Sequence, residues 1–145
     1  MASNKDALLK EAPTFGLAWI GDGATVKRMP LVNILAMCGE VPPTVIAIND
    51  CTDHMAEGGK KDATYISEMF EAEVEKYDTT KLYTDLFFFD GASNVQKAGE
   101  ILTKKFPRAF CCHGGEHVLS LFFEDVGKLP AVKVRLRHVD LFLLI

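Results

Sequence analysis

The stretch LYTDLFFF, Leu82 to Phe89, constrains the fold more than any other part of the chain. Side chains of a strand alternate between its two faces, so the closing run Leu86-Phe87-Phe88-Phe89 is apolar on both. Such a strand belongs inside a sheet, with apolar cover above and below. Asp90-Gly91 ends it. The flanking segments change period. Ala63, Ile66, Phe70, Val74 and Tyr77 recur at steps of three and four, which predicts an amphipathic helix over 60–77. Val95, Ala98, Leu102 and Phe106 predict another over 94–106, opened by a Ser93/Gln96 capping box and ended by Pro107.

Upstream the pattern is that of strands. Phe15 to Ile20 is a short apolar run closed by Gly21-Asp22-Gly23, which reads as a turn. LVNILAMC follows Pro30 and stops at Gly39; Pro42-Pro43 predicts a break, and TVIAIND reads as a third strand. Downstream, Ala109 to Cys112 is a short fifth strand. Gly114-Gly115 makes a turn, and Val118, Leu121, Phe122 and Val126 mark a third helix stopped by Gly127 and Pro130. The expected class is therefore α/β: a mixed five-stranded sheet in the order strand-strand-strand-helix-strand-helix-strand-helix, with helices on its faces. This order resembles the RNase H-like fold. A doubly wound nucleotide-binding fold would alternate from the start. Residues 1–13 read as a loose lead-in, 14–127 as the core and 128–145 as a tail.

The chain has 145 residues, 48% hydrophobic, with 16 basic and 20 acidic side chains and a formal charge of −4. That length suits one domain with a real core, and the apolar content excludes general disorder. The acidity excludes a bulk electrostatic DNA binder, though not an enzyme acting on nucleic acid. No stretch approaches the ~18 uninterrupted apolar residues of a membrane helix, so no membrane partner is expected. MASNKDALLKEAP lacks the apolar core of a signal peptide, which predicts an intracellular protein. Cys38, Cys51, Cys111 and Cys112 form no C-x-x-C spacing and read as reduced thiols.

Asp22 and Asp90 are the sharpest chemical candidates. Each follows an apolar strand and precedes glycine. If the first and fourth strands are neighbours, their ends bring two carboxylates together, and a cation between them relieves the repulsion. Mg²⁺ suits carboxylate oxygens and keeps waters that leave room for phosphate. Two such ions about 3.5–4 Å apart clamp the attacking and leaving oxygens of phosphoryl transfer. Spacing alone does not separate this from plain turn chemistry, the commoner use of Asp-Gly. Asp50 and Asp53 read as loop caps, and His54 as a loop residue with metal ligation as the sharper alternative. His113 and His117 are four apart, yet Gly114-Gly115 intervenes and no second ligand pair stands at zinc spacing. A structural role for that cluster is the better reading, with Glu116 able to face the Asp22–Asp90 edge. Gly21 to Lys27 lacks phosphate-loop spacing. Lys27, Arg28, Lys60 and Lys61 read equally as the edge of a nucleic-acid site or as solvated charges.

FFFDGASNVQKAGEILTKKFPR followed by HGGEHVLSLFFEDV resembles the hAT-type transposases, including their plant-like members. Asp90, Asn94, Ala98, Leu102, Phe106, Pro107, His117, Leu119 and Leu121 fall on that family's pattern, and IGDGATVKRMPLVNIL resembles its first two strands, with Asp22 in the acidic position. The likeness runs from about Phe15 to Val126. It implies an RNase H-like core that cuts and joins DNA in the nucleus with Mg²⁺ or Mn²⁺ on an acidic triad, Asp22 and Asp90 being the first two acids and Asn94 and His117 supporting residues. Gly114 stands where the family has cysteine. The family's third acid, a glutamate, lies beyond a helical insertion that this sequence does not reach. The implied protein is an incomplete, inactive core with weak metal and DNA binding, unless Glu116 or Asp125 substitutes for the missing acid. The alternative is a non-catalytic interaction domain that keeps the fold. The apolar tail KVRLRHVDLFLLI is a candidate surface for self-association.

Overall fold

The computed structural model describes residues 4–114. Its elements belong to one compact unit that ends at His113. They are α1 (Asn4–Phe15), β1 (Leu17–Val26), β2 (Met29–Cys38), β3 (Val41–Asp50), α2 (Thr52–Ala56), α3 (Ala63–Val74), β4 (Thr84–Phe89), α4 (Ser93–Lys105) and β5 (Phe110–His113). The sheet order is β3-β2-β1-β4-β5. The first three strands pair antiparallel, and β1, β4 and β5 run parallel. The expected α/β class with a mixed five-stranded sheet is what forms. The central strand is β1, and the Phe-rich β4 lies inside the sheet between β1 and β5. The third helix expected over Val118 to Val126 and the 128–145 tail lie outside the described residues.

Several boundaries differ from the sequence reading, each for a local reason. β1 does not turn at Gly21-Asp22-Gly23 but continues to Val26, because all three residues pair with β2. The chain reverses at Lys27-Arg28, both with positive φ (49° and 72°), between the paired Val26 and Met29. That is the geometry of a two-residue hairpin loop. Pro42-Pro43 does not break the chain either. It lies within β3, an edge strand, where a missing N–H is tolerated. Residues 4–13 of the stretch read as a loose lead-in belong to α1, which runs on to Phe15 and buries Leu8 and Ala12. The polar stretch after Cys51 contains the short α2. α3 starts at Ala63 rather than at 60, because the Asp62 side chain accepts from Tyr65 N at 2.9 Å and caps it. The Ser93/Gln96 capping box does not form: Ala92 is the cap residue, and Gln96 Nε2 donates to Gly91 O at 2.9 Å.

Register and alternation sort the side chains. Leu17, Trp19 and Gly21 of β1 share a face with Ile34 and Ala36 of β2 and Phe87 and Phe89 of β4. On this face Phe70 of α3 meets Phe89 edge-on at 4.9 Å, and Phe106, just past α4, meets Phe87 at 5.6 Å. α1 lies against β2 and β3. Ala18, Ile20, Asp22 and Ala24 point the other way. So do Leu35, Ile48, Leu86, Phe88 and Phe110.

The link from α3 to β4 is held by one buried carboxylate. Asp78, 1% exposed, accepts from Leu82 N, Tyr83 N and Thr84 N at 2.8–3.0 Å. Trp19 Nε1 donates to Thr84 Oγ1 at 3.3 Å, so the central strand joins the same network. Burial pushes the Asp78 carboxyl up, but the hydrogen bonds from Tyr83, Thr84 and Leu82 outweigh it and hold it below the ordinary carboxylate range. Its stabilising contribution is therefore complete above the unfolded value of ~3.9 and is lost as pH falls through the lower folded value. Asp78→Ala leaves three N–H donors without their acceptor and is expected to cost about 3 kcal/mol. Urea unfolding at neutral pH measures the loss, and the difference from wild type should shrink as the pH is taken below 3.9.

Candidate active site

The parallel register sets Gly21 of β1 beside Phe89 of β4, so the next residue is Asp22 inside β1 and Asp90 just past the end of β4. Both line a cavity of about 180 Å³. Its apolar wall is Val32, Ile66, Phe70, Phe89 and Val95; its polar residues include Asp22, Asp90, Asn94, Lys61 and Thr25. Asp22 is exposed, in a strand and opposite Asn33, which removes the plain turn reading for this residue. Asp90 is half-buried and does serve a turn: its Oδ1 accepts from Ala92 N at 3.1 Å as the chain enters α4. Among the described residues, its other oxygen accepts no such bond from the backbone. Asn94 Nδ2 donates to Lys61 O at 2.8 Å and ties the approach to α3 to the start of α4.

Gly21 makes this packing feasible. A Cβ there would stand 2.6 Å from Phe70 Cζ and from Phe89 Cε1, inside the aromatic pair that floors the cavity. At Gly23, two residues on, a Cβ would meet nothing within 4 Å.

The other candidates are not drawn to this cavity. The His54 ring stacks on Tyr65 at 3.8 Å, and its Nε2 lies 3.1 Å from Lys60 O, so that nitrogen is engaged by a carbonyl rather than free for a metal. Asp50 Oδ1 accepts from Thr52 N and Thr52 Oγ1, as a loop cap does. These bonds lower its carboxyl. Asp62, not Asp53, caps a helix through its side chain. Cys111 is half-buried against Gly99, and burial first, then Cys112 and Glu100, push its thiol up to about 11. It stays protonated at neutral pH, as a packing residue does. His113 ends β5, exposed. Glu116, His117 and Asp125 lie outside the described residues. Of the four basic residues noted near Asp22, Lys61 alone lines the cavity; Lys27 and Arg28 form the β1–β2 turn, and Lys60 borders a separate groove with His54.

Two aspartates bordering one small cavity are the kind of oxygen ligand a hard divalent ion that keeps most of its water takes. They do not make a closed cage, and among the described residues no group of three His, Cys, Asp or Glu side chains could hold a metal. The Asn94–Lys61 tie escapes sequence reading because it joins residues 33 apart with no motif between them. No family model and no curated protein matches the chain.

Gly21→Ala should destabilise by about 1–3 kcal/mol, because the Phe70–Phe89 pair must shift. Gly23→Ala should stay within about 0.5 kcal/mol of wild type. Paired chemical denaturation curves check the contrast, and equal costs would mean that the two rings do not seal the cavity floor.

Proposed function

We propose that this chain is an incomplete RNase H-like core of the hAT transposase type, inactive by itself, that binds DNA weakly in the nucleus and takes Mg²⁺ or Mn²⁺ at Asp22 and Asp90. The single observation that carries the reading is the cavity that Asp22, inside β1, and Asp90, just past the end of the adjacent parallel strand β4, both line. The strand order, an antiparallel β1-β2-β3 meander beside parallel β4 and β5, supports it. When bound, the ion would polarise a phosphate oxygen and orient water on it. The chain's own residues hold that ion, keep the cavity's inner wall apolar and present Asn94 and Lys61 beside it. Two aspartates suit one ion. A second in-line ion needs a further acid, for which Glu116 and Asp125 are the candidates.

Binding to the folded state raises its stability by mass action. Millimolar Mn²⁺ should therefore raise the melting temperature by a few degrees, and Asp90→Asn should abolish the rise; an unchanged response in that variant would place the ion elsewhere. The purified 145-residue protein should not nick plasmid DNA, since a misplaced reacting group costs on the order of 100-fold and a missing ligand more. Metal-dependent nicking that disappears in Asp22→Asn would refute the inactive reading, and its further loss in Glu116→Gln would identify the substitute acid.

One observation favours the alternative of a non-catalytic interaction domain. Val26, Met29, Met37, Val45, Ile48 and Phe110 share the sheet face that points away from Phe70 and Phe106, and each is 39–63% exposed. Apolar side chains left exposed on one sheet face are where a partner would dock. Light scattering on the Val45→Glu/Ile48→Lys double variant tests it: the variant should remain monomeric at concentrations where the wild type associates.

A further inference from the structure

We propose that Lys61 is the phosphate-binding side chain of the Asp22–Asp90 cavity, positioned there by Asn94. This rests on the reading above and names how that site takes its nucleic acid. Lys60 and Lys61 are adjacent but part company: Lys60 borders the groove of His54 and Tyr65, whereas Lys61, half-buried, lines the cavity. The amide of Asn94 holds the Lys61 carbonyl at 2.8 Å, so this residue's backbone is fixed at the cavity. Among the described residues, Lys76, Lys81, Lys105 and Arg108 are in ion pairs and Lys61 is in none. Its ammonium is not consumed by Asp22 or Asp90.

The charges then decide what the cavity attracts. Without a divalent ion, two carboxylates outweigh one ammonium, and a phosphodiester is repelled. With one ion bound, Asp22 and Asp90 are neutralised and Lys61 leaves a single positive charge, which matches one phosphodiester. An ammonium serves well here, as a point charge that meets phosphate without demanding a bidentate approach. The site thus takes nucleic acid in a metal-dependent way although the whole chain carries a charge of −4.

Fluorescence anisotropy of a labelled DNA duplex, titrated with the full chain in Ca²⁺ buffer over a series of salt concentrations, tests this. Lys61→Gln should weaken binding on the order of tenfold and lower the log–log salt slope by about one. Lys61→Arg should restore both, and Asn94→Ala should fall between. Lys61→Met, which keeps the stem, replaces Lys61→Gln if that variant does not fold. The Mn²⁺-induced rise in melting temperature should be unchanged in the Lys61 variants, which a general loss of structure would not allow. Wild-type affinity and slope in Lys61→Gln, beside an intact metal response, would overturn the inference and leave the metal reading standing. Absence of any metal response in the wild type would instead overturn the metal reading, and this inference with it.

Discussion

The parallel pairing of β1 with β4 is the contact on which the rest of the molecule depends. It sets Trp19 beside Phe87 and Gly21 beside Phe89, and so fixes where the aromatic layer lies under α3 and α4. Parallel neighbours demand a crossover, and here α3 and its trailing turn supply it. The missing side chain at Gly21 lets Phe70 and Phe89 close over the strand. The same register puts Asp22 and Asp90 on the lining of one cavity. Packing and chemistry therefore share a cause: a shift of the pairing by one residue would turn the aromatics to the other face and separate the carboxylates.

The crossover is stiffened by charge as well as by apolar contact. Glu71 of α3 binds Lys105 at the end of α4 and also Lys81 in the connection to β4; the Lys105 bond chiefly holds its carboxyl low. Lys81 in turn meets Glu75 and lies 5.0 Å from the centre of the Phe106 ring. Each pair is partly exposed and worth little singly. Together with the Asp78 network they fix three segments on which β4 hangs, and so fix the direction in which Asp90 leaves the sheet.

Periodicity made much of this legible. The run ending at Phe89 announced an interior strand, and the spacing from Ile66 to Val74 and from Val95 to Leu102 announced the helices that cover it. The failures came where local punctuation met tertiary pairing. Gly21-Asp22-Gly23 reads as a turn by composition, but nine consecutive pairs along β1 and β2 hold it extended. Lys27-Arg28 carries no turn signature, since neither residue favours positive φ. Residues 4–15 show too few apolar positions to announce a buried helix, although Leu8 and Ala12 suffice to anchor one. Both aspartates were visible as acids following apolar strand runs, although only Asp90 proves to stand at a strand's end. Lys61 was visible only as one of four basic residues, and the bond that singles it out joins the segment before α3 to the first turn of α4.

The prolines of β3 have a consequence for how copies of this protein meet. An exposed edge strand offers a row of unpaired N–H and C=O groups to any arriving strand. Here one border of the sheet carries Pro42 and Pro43, which have no N–H to give, and the other is β5, only four residues long. Strand addition lacks a donor at the Pro42-Pro43 end of β3, and along β5, among the described residues, it has only four residues to pair with. Copies that meet edge to edge find no donor at Pro42-Pro43, which works against the ladders from which fibrils grow.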